Sequence, residues 1–140
     1  MPSREQVLRV VREWVKKAEQ DMQAAVHMLS LGVVATTDIV CFHAQQCIEK
    51  YLKSVLVLNQ IPVPKTHDIE QILSLIPDSD RFPMTTSEMR TMTAYAVDTR
   101  YPASEEISLE DARKAVALAE RIRNAVREIL PPEIDKPKQL

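Results

Sequence analysis

The chain has 140 residues, enough for one domain with a self-sufficient core, and its 18 basic and 20 acidic residues leave a formal net charge of −2. This small net charge excludes a whole-protein field that would draw the chain onto DNA or an anionic membrane, and any phosphate binding must therefore be local. A single glycine disfavours sheets joined by tight turns, so the composition predicts helices.

A long first helix is predicted from Arg4 to Leu31. Apolar residues recur there at helical spacing, and Gly32 follows where a glycine commonly ends a helix. Asp21 lies at the edge of the apolar stripe, and we interpret it as a boundary carboxylate bonded to water or a lysine, with a role in a site as the alternative.

The beginning of the chain, MPSREQVLRVVREW, carries charges throughout, which is not the pattern of a secretory signal. No apolar run reaches the ~20 residues that a membrane-spanning helix needs. We therefore expect a cytoplasmic protein with no membrane partner.

A second helix, predicted from Thr37 to Asn59, carries both an apolar face and a polar stripe. The polar stripe consists of five residues at helical spacing, His43, Gln46, Glu49, Lys50 and Lys53. Ile39 and Val57 lie at its two ends, so we expect the stripe to face a partner, with a solvated face as the alternative.

Two cysteines lie on the apolar face of the same helix. Cys41 and Cys47 point in different directions and cannot bridge each other, and burial would oppose ionisation of either thiol. We predict structural thiols and neither metal ligands nor nucleophiles. The chain also has no phosphate-binding glycine loop and no histidine or glutamate pair at metal-binding spacing, so we predict no cofactor and no metal site.

A short third helix is predicted from His67 to Ile76, after two prolines that stop the second helix. Thr66 is its expected cap, and His67 is expected to help order that cap, with ligand contact as the alternative. A turn-rich linker, PDSDRFP, follows this helix.

Two more helices complete the chain. Thr85 and Glu88 have the spacing of a capping box and open a fourth helix, which is predicted to run to about Thr99 and to end before the tyrosine–proline pair at 101–102. Ser108 opens an alanine-rich fifth helix that ends before Pro131. The fold predicted from these elements is all-α, an up-and-down bundle of four main helices plus one short connecting helix, in residues 1–130, followed by a polar, frayed tail in residues 131–140.

Arg100 and Tyr101 join the polar stripe as candidate ligand-binding residues. An arginine offers a planar fork for phosphate oxygens, lysines add point charges, and a tyrosine or histidine can stack on a base. The set suits a nucleotide or an RNA phosphate. A structural explanation stands beside it, because Glu49 and Lys53 form a favourable i,i+4 pair and Arg100 is placed to satisfy carbonyls at a helix end.

Several segments, in this order and at these distances, resemble the HEPN domain, named for higher eukaryotes, prokaryotes and nucleotide binding. They are REWVKKAEQDM in the first helix, CFHAQQCIEKYLKSVL in the second, then KTHDI and YAVDTRYP. The resemblance covers nearly the whole chain and implies a compact helical bundle that forms homodimers. It also implies a minimal nucleotidyltransferase as partner, in a toxin–antitoxin-like pair.

The resemblance implies a second function as well, because many HEPN proteins are metal-independent ribonucleases. Their activity rests on an arginine followed within a few residues by a histidine, and Arg100 matches the arginine by position. No histidine follows Arg100, and Glu105 and Glu106 would repel an RNA phosphate. We therefore predict a nucleotide-binding or regulatory component. The alternatives are a ribonuclease that uses Arg100 with a histidine from elsewhere in the chain, His43 or His67, and a helical dimer without a ligand. If the first interpretation holds, His43, Lys50 and Arg100 should share one surface or meet across a subunit boundary.

Overall fold

The computed structural model describes residues 1–97 and 105–135 of the chain. These residues form five α-helices and no strand, namely α1 (Arg4–Ser30), α2 (Thr37–Leu58), α3 (Ile69–Ser74), α4 (Thr86–Ala94) and α5 (Leu109–Ile129). The predicted all-α bundle of four main helices and one short connecting helix is confirmed. The predictions that concern Arg100, Tyr101 and residues 136–140 lie outside the described residues.

Local sequence fixes both ends of α1. The hydroxyl of Ser3 accepts from the backbone of Gln6 and the Gln6 side chain accepts from the Ser3 backbone, which is a complete capping box. Beyond the other end, Gly32 has φ +65°, a conformation that costs glycine little and side-chain-bearing residues more. The first helix therefore ends just before Gly32, as the sequence predicted.

The four main helices alternate in direction. Lys50 contacts Asp21 while Lys53 lies over the ring of Trp14, so α2 runs antiparallel to α1. The hydroxyl of Thr37 donates to the carbonyl of Ile107 just before α5, and further along Tyr51 meets Arg127, so α2 and α5 run parallel. The ion pair between Glu88 and Arg121 and the facing of Tyr95 and Asp111 make α4 antiparallel to α5.

Helix α2 is the centre of the bundle, because it packs against α1, α3, α4 and α5. Its buried residues extend well beyond one apolar stripe and include polar ones. Cys41 and Cys47 are fully buried free thiols; burial raises the pKa of Cys41 to about 12 and also raises the pKa of Cys47. Both therefore behave as core residues, as the sequence predicted.

Helix α3 is shorter than predicted, and its start is corrected. It begins at Ile69, not at His67, because Asp68 acts as the N-cap and accepts from the backbone of Glu70 and Gln71. Thr66 instead accepts from the backbone N–H of Asp68 at 3.1 Å. Thr66 therefore orders the turn before α3, Asp68 caps the helix, and His67 remains in the preceding loop.

Helix α4 also ends earlier than predicted. Its capping box of Thr85 and Glu88 is present, but the helix ends at Ala94 and does not continue to Thr99. The amides of Tyr95, Ala96 and Val97 each bond the carbonyl three residues earlier, which tightens the last turn and ends the α-helical pattern.

The segment after α5 is packed, so the predicted frayed tail is wrong for residues 131–135. Pro132–Asp135 form a 3₁₀ turn in which Ile134 is buried. Arg12 donates to the backbone carbonyl of Glu133 at 3.0 Å, and Arg127 pairs with Asp135 at 2.9 Å. Apolar burial and two arginines therefore hold this turn against α1 and α5.

None of the helices in the described part of the chain combines the length and the apolar character that a membrane span requires.

Candidate functional site

One buried carboxylate brings two basic residues together on the surface of α2. Asp21, from α1, contacts Nδ1 of His43 through Oδ1 at 2.8 Å and Nζ of Lys50 through Oδ2 at 2.6 Å. The Asp21 side chain is 10% exposed, whereas those of His43 and Lys50 are 30% and 23% exposed. The carboxylate thus anchors two basic groups that still reach solvent. We call these three residues the Asp21 cluster.

The hydrogen bond to Asp21 determines which nitrogen of His43 faces outward. A carboxylate only accepts hydrogen bonds, so Nδ1 carries a proton and donates it to Asp21. The other nitrogen, Nε2, forms no hydrogen bond with any described residue. It can accept a proton or a hydrogen bond from a ligand, or donate to a phosphate oxygen once the ring is protonated.

Two residues of the predicted polar stripe lie elsewhere. Glu49 and Lys53 are buried within the chain, where their side chains pair at 2.9 Å with exposures of 4% and 8%. They contribute to no solvated or partner-facing surface, contrary to the arrangement expected from helical spacing. Of the predicted stripe, His43, Gln46 and Lys50 keep part of their surface in contact with solvent.

Hydrogen bonds keep Glu49 ionised despite its burial. Removal from water favours the neutral acid, but donors from Lys53, His67 and Gln45 outweigh that effect and hold the pKa of Glu49 below its usual value. His67 forms its bond through Nδ1 at 2.8 Å, although its own side chain is 62% exposed. His67 therefore fastens the loop before α3 to the central helix.

Gln46 links the surface of α2 to a buried neighbour on the same helix, Gln45. It is half-buried on the helix face that it shares with His43 and Lys50, because positions 43, 46 and 50 are three and four residues apart. Its Nε2 donates to Oε1 of the buried Gln45 at 2.7 Å. Gln45 belonged to the segment that carried the family resemblance, but helical spacing gave no sign that it bonds both Gln46 and the buried Glu49.

A second ionic network was not predicted from the sequence. Oε1 of Glu19 accepts from Tyr51, Arg123 and Arg127, which ties α1, α2 and α5 together. Burial opposes ionisation of Glu19, but these donors keep its pKa below the usual value. The partners Arg123 and Arg127 lie 104 and 108 residues from Glu19 in the sequence, so no local spacing signals the contact.

Two further features limit the candidate sites. The described residues contain no group of three or more histidine, cysteine, aspartate or glutamate side chains that could hold a metal ion. A groove of about 390 Å³ between α4 and α5, lined among others by Met92, Tyr95 and Leu118, shares no lining residue with the Asp21 cluster.

The sequence analysis expected His43, Lys50 and Arg100 on one surface. Arg100 and Tyr101 lie outside the described residues, and the structure brings His43 and Lys50 together at Asp21.

Comparison with known proteins identifies a family. A model of the HEPN domain matches residues 11–129. The chain is 24% identical to the Methanocaldococcus jannaschii protein named "Putative toxin MJ1304", over 88% of this chain and 90% of that protein.

Two solved structures are similar in fold and sequence. The protein TT1696 from Thermus thermophilus superposes with a TM-score of 0.71 at 25% identity, covering 86% of this chain and 98% of that one. ST0689, described as an archaeal HEPN homologue, superposes with a TM-score of 0.66 at 26% identity, covering 89% of this chain and 98% of that one.

Proposed function

The chain belongs to the HEPN domain family, and from that membership we propose that it is a nucleotide-binding or regulatory component of a toxin–antitoxin-like pair. In this proposal the protein is a cytoplasmic homodimer that works with a nucleotidyltransferase. The toxin-like role is supported by the name of the Methanocaldococcus jannaschii relative, which the chain matches over most of its length.

The Asp21 cluster is the observation that carries the proposed ligand binding. Lys50 uses one of its three donors on Asp21, and within residues 1–97 and 105–135 the other two are left for a ligand. Once His43 is protonated, two positive charges face a single carboxylate, and the surplus favours an anion such as a nucleotide or RNA phosphate. Arg100 and Tyr101 are proposed to complete the site, the arginine by binding a phosphate and the tyrosine by stacking on a base.

A binding measurement tests this proposal. Fluorescence anisotropy with a labelled oligoribonucleotide, and thermal shift with free nucleotides, should detect a complex with the wild-type protein. Lys50→Met should weaken that complex at least about tenfold, because a hydrogen bond to a charged group contributes ~1.5–3 kcal/mol and ~1.4 kcal/mol corresponds to a factor of ten. Lys114→Met, which removes an exposed lysine of α5, is the matched control and should bind as the wild type does.

Three results would speak against the proposal in different ways. Equal affinities for Lys50→Met, Lys114→Met and wild type would remove the Asp21 cluster from the site. Failure of wild type to bind any nucleotide or RNA, with a stable dimer by light scattering, would favour a helical dimer without a ligand. Co-purification with the product of a neighbouring nucleotidyltransferase gene tests the partner, and a neighbourhood without such a gene would contradict it.

A ribonuclease is the second candidate, and the observation that favours it is that Nε2 of His43 has no hydrogen-bond partner among the described residues. A histidine oriented by a carboxylate through Nδ1, with Nε2 open to a substrate, has the arrangement of a general base or acid. In this candidate His43 would take the place of the histidine that is missing after Arg100. RNA cleavage in the presence of a chelator, assayed for wild type, His43→Gln and Arg100→Lys, tests it. Cleavage that is indifferent to both substitutions would refute it.

A further inference from the structure

A chain of side-chain hydrogen bonds leads from a buried carboxylate to the surface of α2. Glu49 accepts from Lys53 at 2.9 Å, from His67 at 2.8 Å and from Nε2 of Gln45 at 3.2 Å. Oε1 of Gln45 in turn accepts from Nε2 of Gln46 at 2.7 Å. We call this series of contacts the glutamine relay.

The buried charge of Glu49 determines which residue donates and which accepts at each step of the glutamine relay. An ionised carboxylate has no proton to donate, so Gln45 must turn its NH₂ group toward Glu49. The same NH₂ lies 3.3 Å from the backbone carbonyl of His67, a second group that only accepts. The oxygen of Gln45 is thereby directed at Gln46, which must donate from its own NH₂.

The amide oxygen of Gln46 remains available in this arrangement. None of the described residues donates to it, and it belongs to a half-buried side chain on the face that carries His43 and Lys50. The surface of α2 therefore offers a fixed hydrogen-bond acceptor beside the basic groups of the Asp21 cluster. A phosphate oxygen cannot use that acceptor, because it also only accepts.

We propose that Gln46 selects ribonucleotides by accepting a hydrogen bond from the ribose 2′-hydroxyl while Lys50 holds the phosphate of the same sugar. This role rests on the proposed phosphate binding at the Asp21 cluster. Positions 46 and 50 are one helical turn apart, about 6 Å along the axis, which is the scale of a sugar and its own phosphate. The 2′-hydroxyl is also the group that distinguishes RNA from DNA. A deoxyribose leaves the Gln46 oxygen without a donor.

Paired ligands test this assignment directly. Fluorescence anisotropy should compare an oligoribonucleotide with the oligodeoxyribonucleotide of the same sequence, and calorimetry should compare 3′-AMP with its 2′-deoxy analogue. Wild type should prefer the ribose form by about five- to tenfold, since one hydrogen bond contributes that much to binding. A preference for the ribose form in the oligonucleotide pair alone would identify RNA as the ligand, and a preference in both pairs would include free nucleotides.

Two substitutions separate contact from positioning. Gln46→Met keeps the size of the side chain but removes the acceptor, so it should lower affinity for the ribose ligand and leave affinity for the deoxyribose ligand unchanged. Gln71→Met, which changes an exposed glutamine of α3, is the matched control and should retain the wild-type preference. Glu49→Gln replaces the ionised carboxylate by an amide that can donate to Gln45, and the 3.3 Å contact with the carbonyl of His67 then holds the present direction of the relay alone. A fraction of the molecules can therefore reverse the relay and turn the NH₂ of Gln46 outward. The ribose preference should then fall although residue 49 touches no ligand.

The outcomes are distinguishable. Equal wild-type affinity for ribose and deoxyribose ligands, with Lys50→Met still weakening both, would overturn the role of Gln46 and leave phosphate binding intact. An equal loss of both affinities in Gln46→Met would overturn the 2′-hydroxyl contact as well. Absence of wild-type binding to every ligand would overturn the proposed function together with this inference. Retention of the preference in a folded Glu49→Gln variant would refute the relay as its cause.

Discussion

Replacing Lys53 by methionine should destabilise the protein far more than the same change at Lys114. Lys53 and Glu49 form an i,i+4 pair at 2.9 Å with side chains that are 8% and 4% exposed. Lys114 and Glu110 form an i,i+4 pair in the same order at 3.4 Å, with side chains 71% and 76% exposed. The two pairs match in chemistry and helical spacing, so burial is the main difference between them.

The expected magnitude follows from what each substitution leaves behind. Lys53→Met leaves the carboxylate of Glu49 buried, with His67 and Gln45 as its remaining donors in the described part of the chain. Removing one partner of a buried ion pair costs about 3–5 kcal/mol. Methionine retains an apolar stem near Trp14, so we expect the lower end, about 3 kcal/mol. Lys114→Met should change the free energy of unfolding by less than about 1 kcal/mol, because its pair is in water.

Urea and thermal unfolding, followed by circular dichroism, measure this difference. For a domain of this size about 3 kcal/mol lowers Tm by roughly 10 °C. A double variant, Glu49→Leu with Lys53→Met, should recover much of the loss because no charge remains buried. A Lys53→Met protein as stable as Lys114→Met, or a double variant less stable than either single one, would refute the reasoning that the buried pair is required as a unit.

Three further predictions concern the core and the helix ends. Because hydrogen bonds lower the pKa of Glu49 in the folded protein, its contribution to stability is present above the unfolded pKa of about 4.3 and is lost as pH falls through the folded pKa. Urea titrations between neutral and acidic pH should show that the free energy of unfolding falls less steeply with pH in Glu49→Gln than in wild type. An equal pH dependence in the two proteins would contradict this. Cys41 and Cys47 should react with a thiol reagent only in denaturant, since both are buried and their pKa values are raised; rapid labelling of the native protein would refute it. Thr85→Ala should lower the free energy of unfolding by ~1 kcal/mol, because the N-cap of α4 is lost. The exposed Ser87→Ala should cause no measurable change, and thermal unfolding compares the two variants.

Local chemistry accounts for the part of the fold that could be predicted. Apolar spacing located the main helices, and the capping residues Ser108 and Thr85 and the terminating Gly32 set boundaries that the structure reproduces. The error at the start of α3 occurs where two local signals compete. Thr66 was the expected cap, but Asp68, two residues later, is the residue that caps α3 in the structure.

The candidate site was harder to predict because a helical projection does not show which neighbour covers each face. Projection placed Glu49 and Lys53 beside His43 and Lys50, whereas the structure buries Glu49 and Lys53, and the loop that carries His67 packs against Glu49. Asp21 was noted at the edge of a stripe, but its two partners come from another helix. Such contacts depend on the relative rotation of α1 and α2, which no single-helix pattern contains.

The most direct test of the proposed site is an NMR titration that locates the bound phosphate. The chain has three histidines, His27, His43 and His67, so their ring signals can be assigned by single substitutions. Addition of 3′-AMP should shift the Nε2 resonance of His43 and the Nζ resonance of Lys50, while His27 stays unchanged. Shifts confined to the groove between α4 and α5, with His43 and Lys50 unaffected, would contradict a phosphate site at the Asp21 cluster.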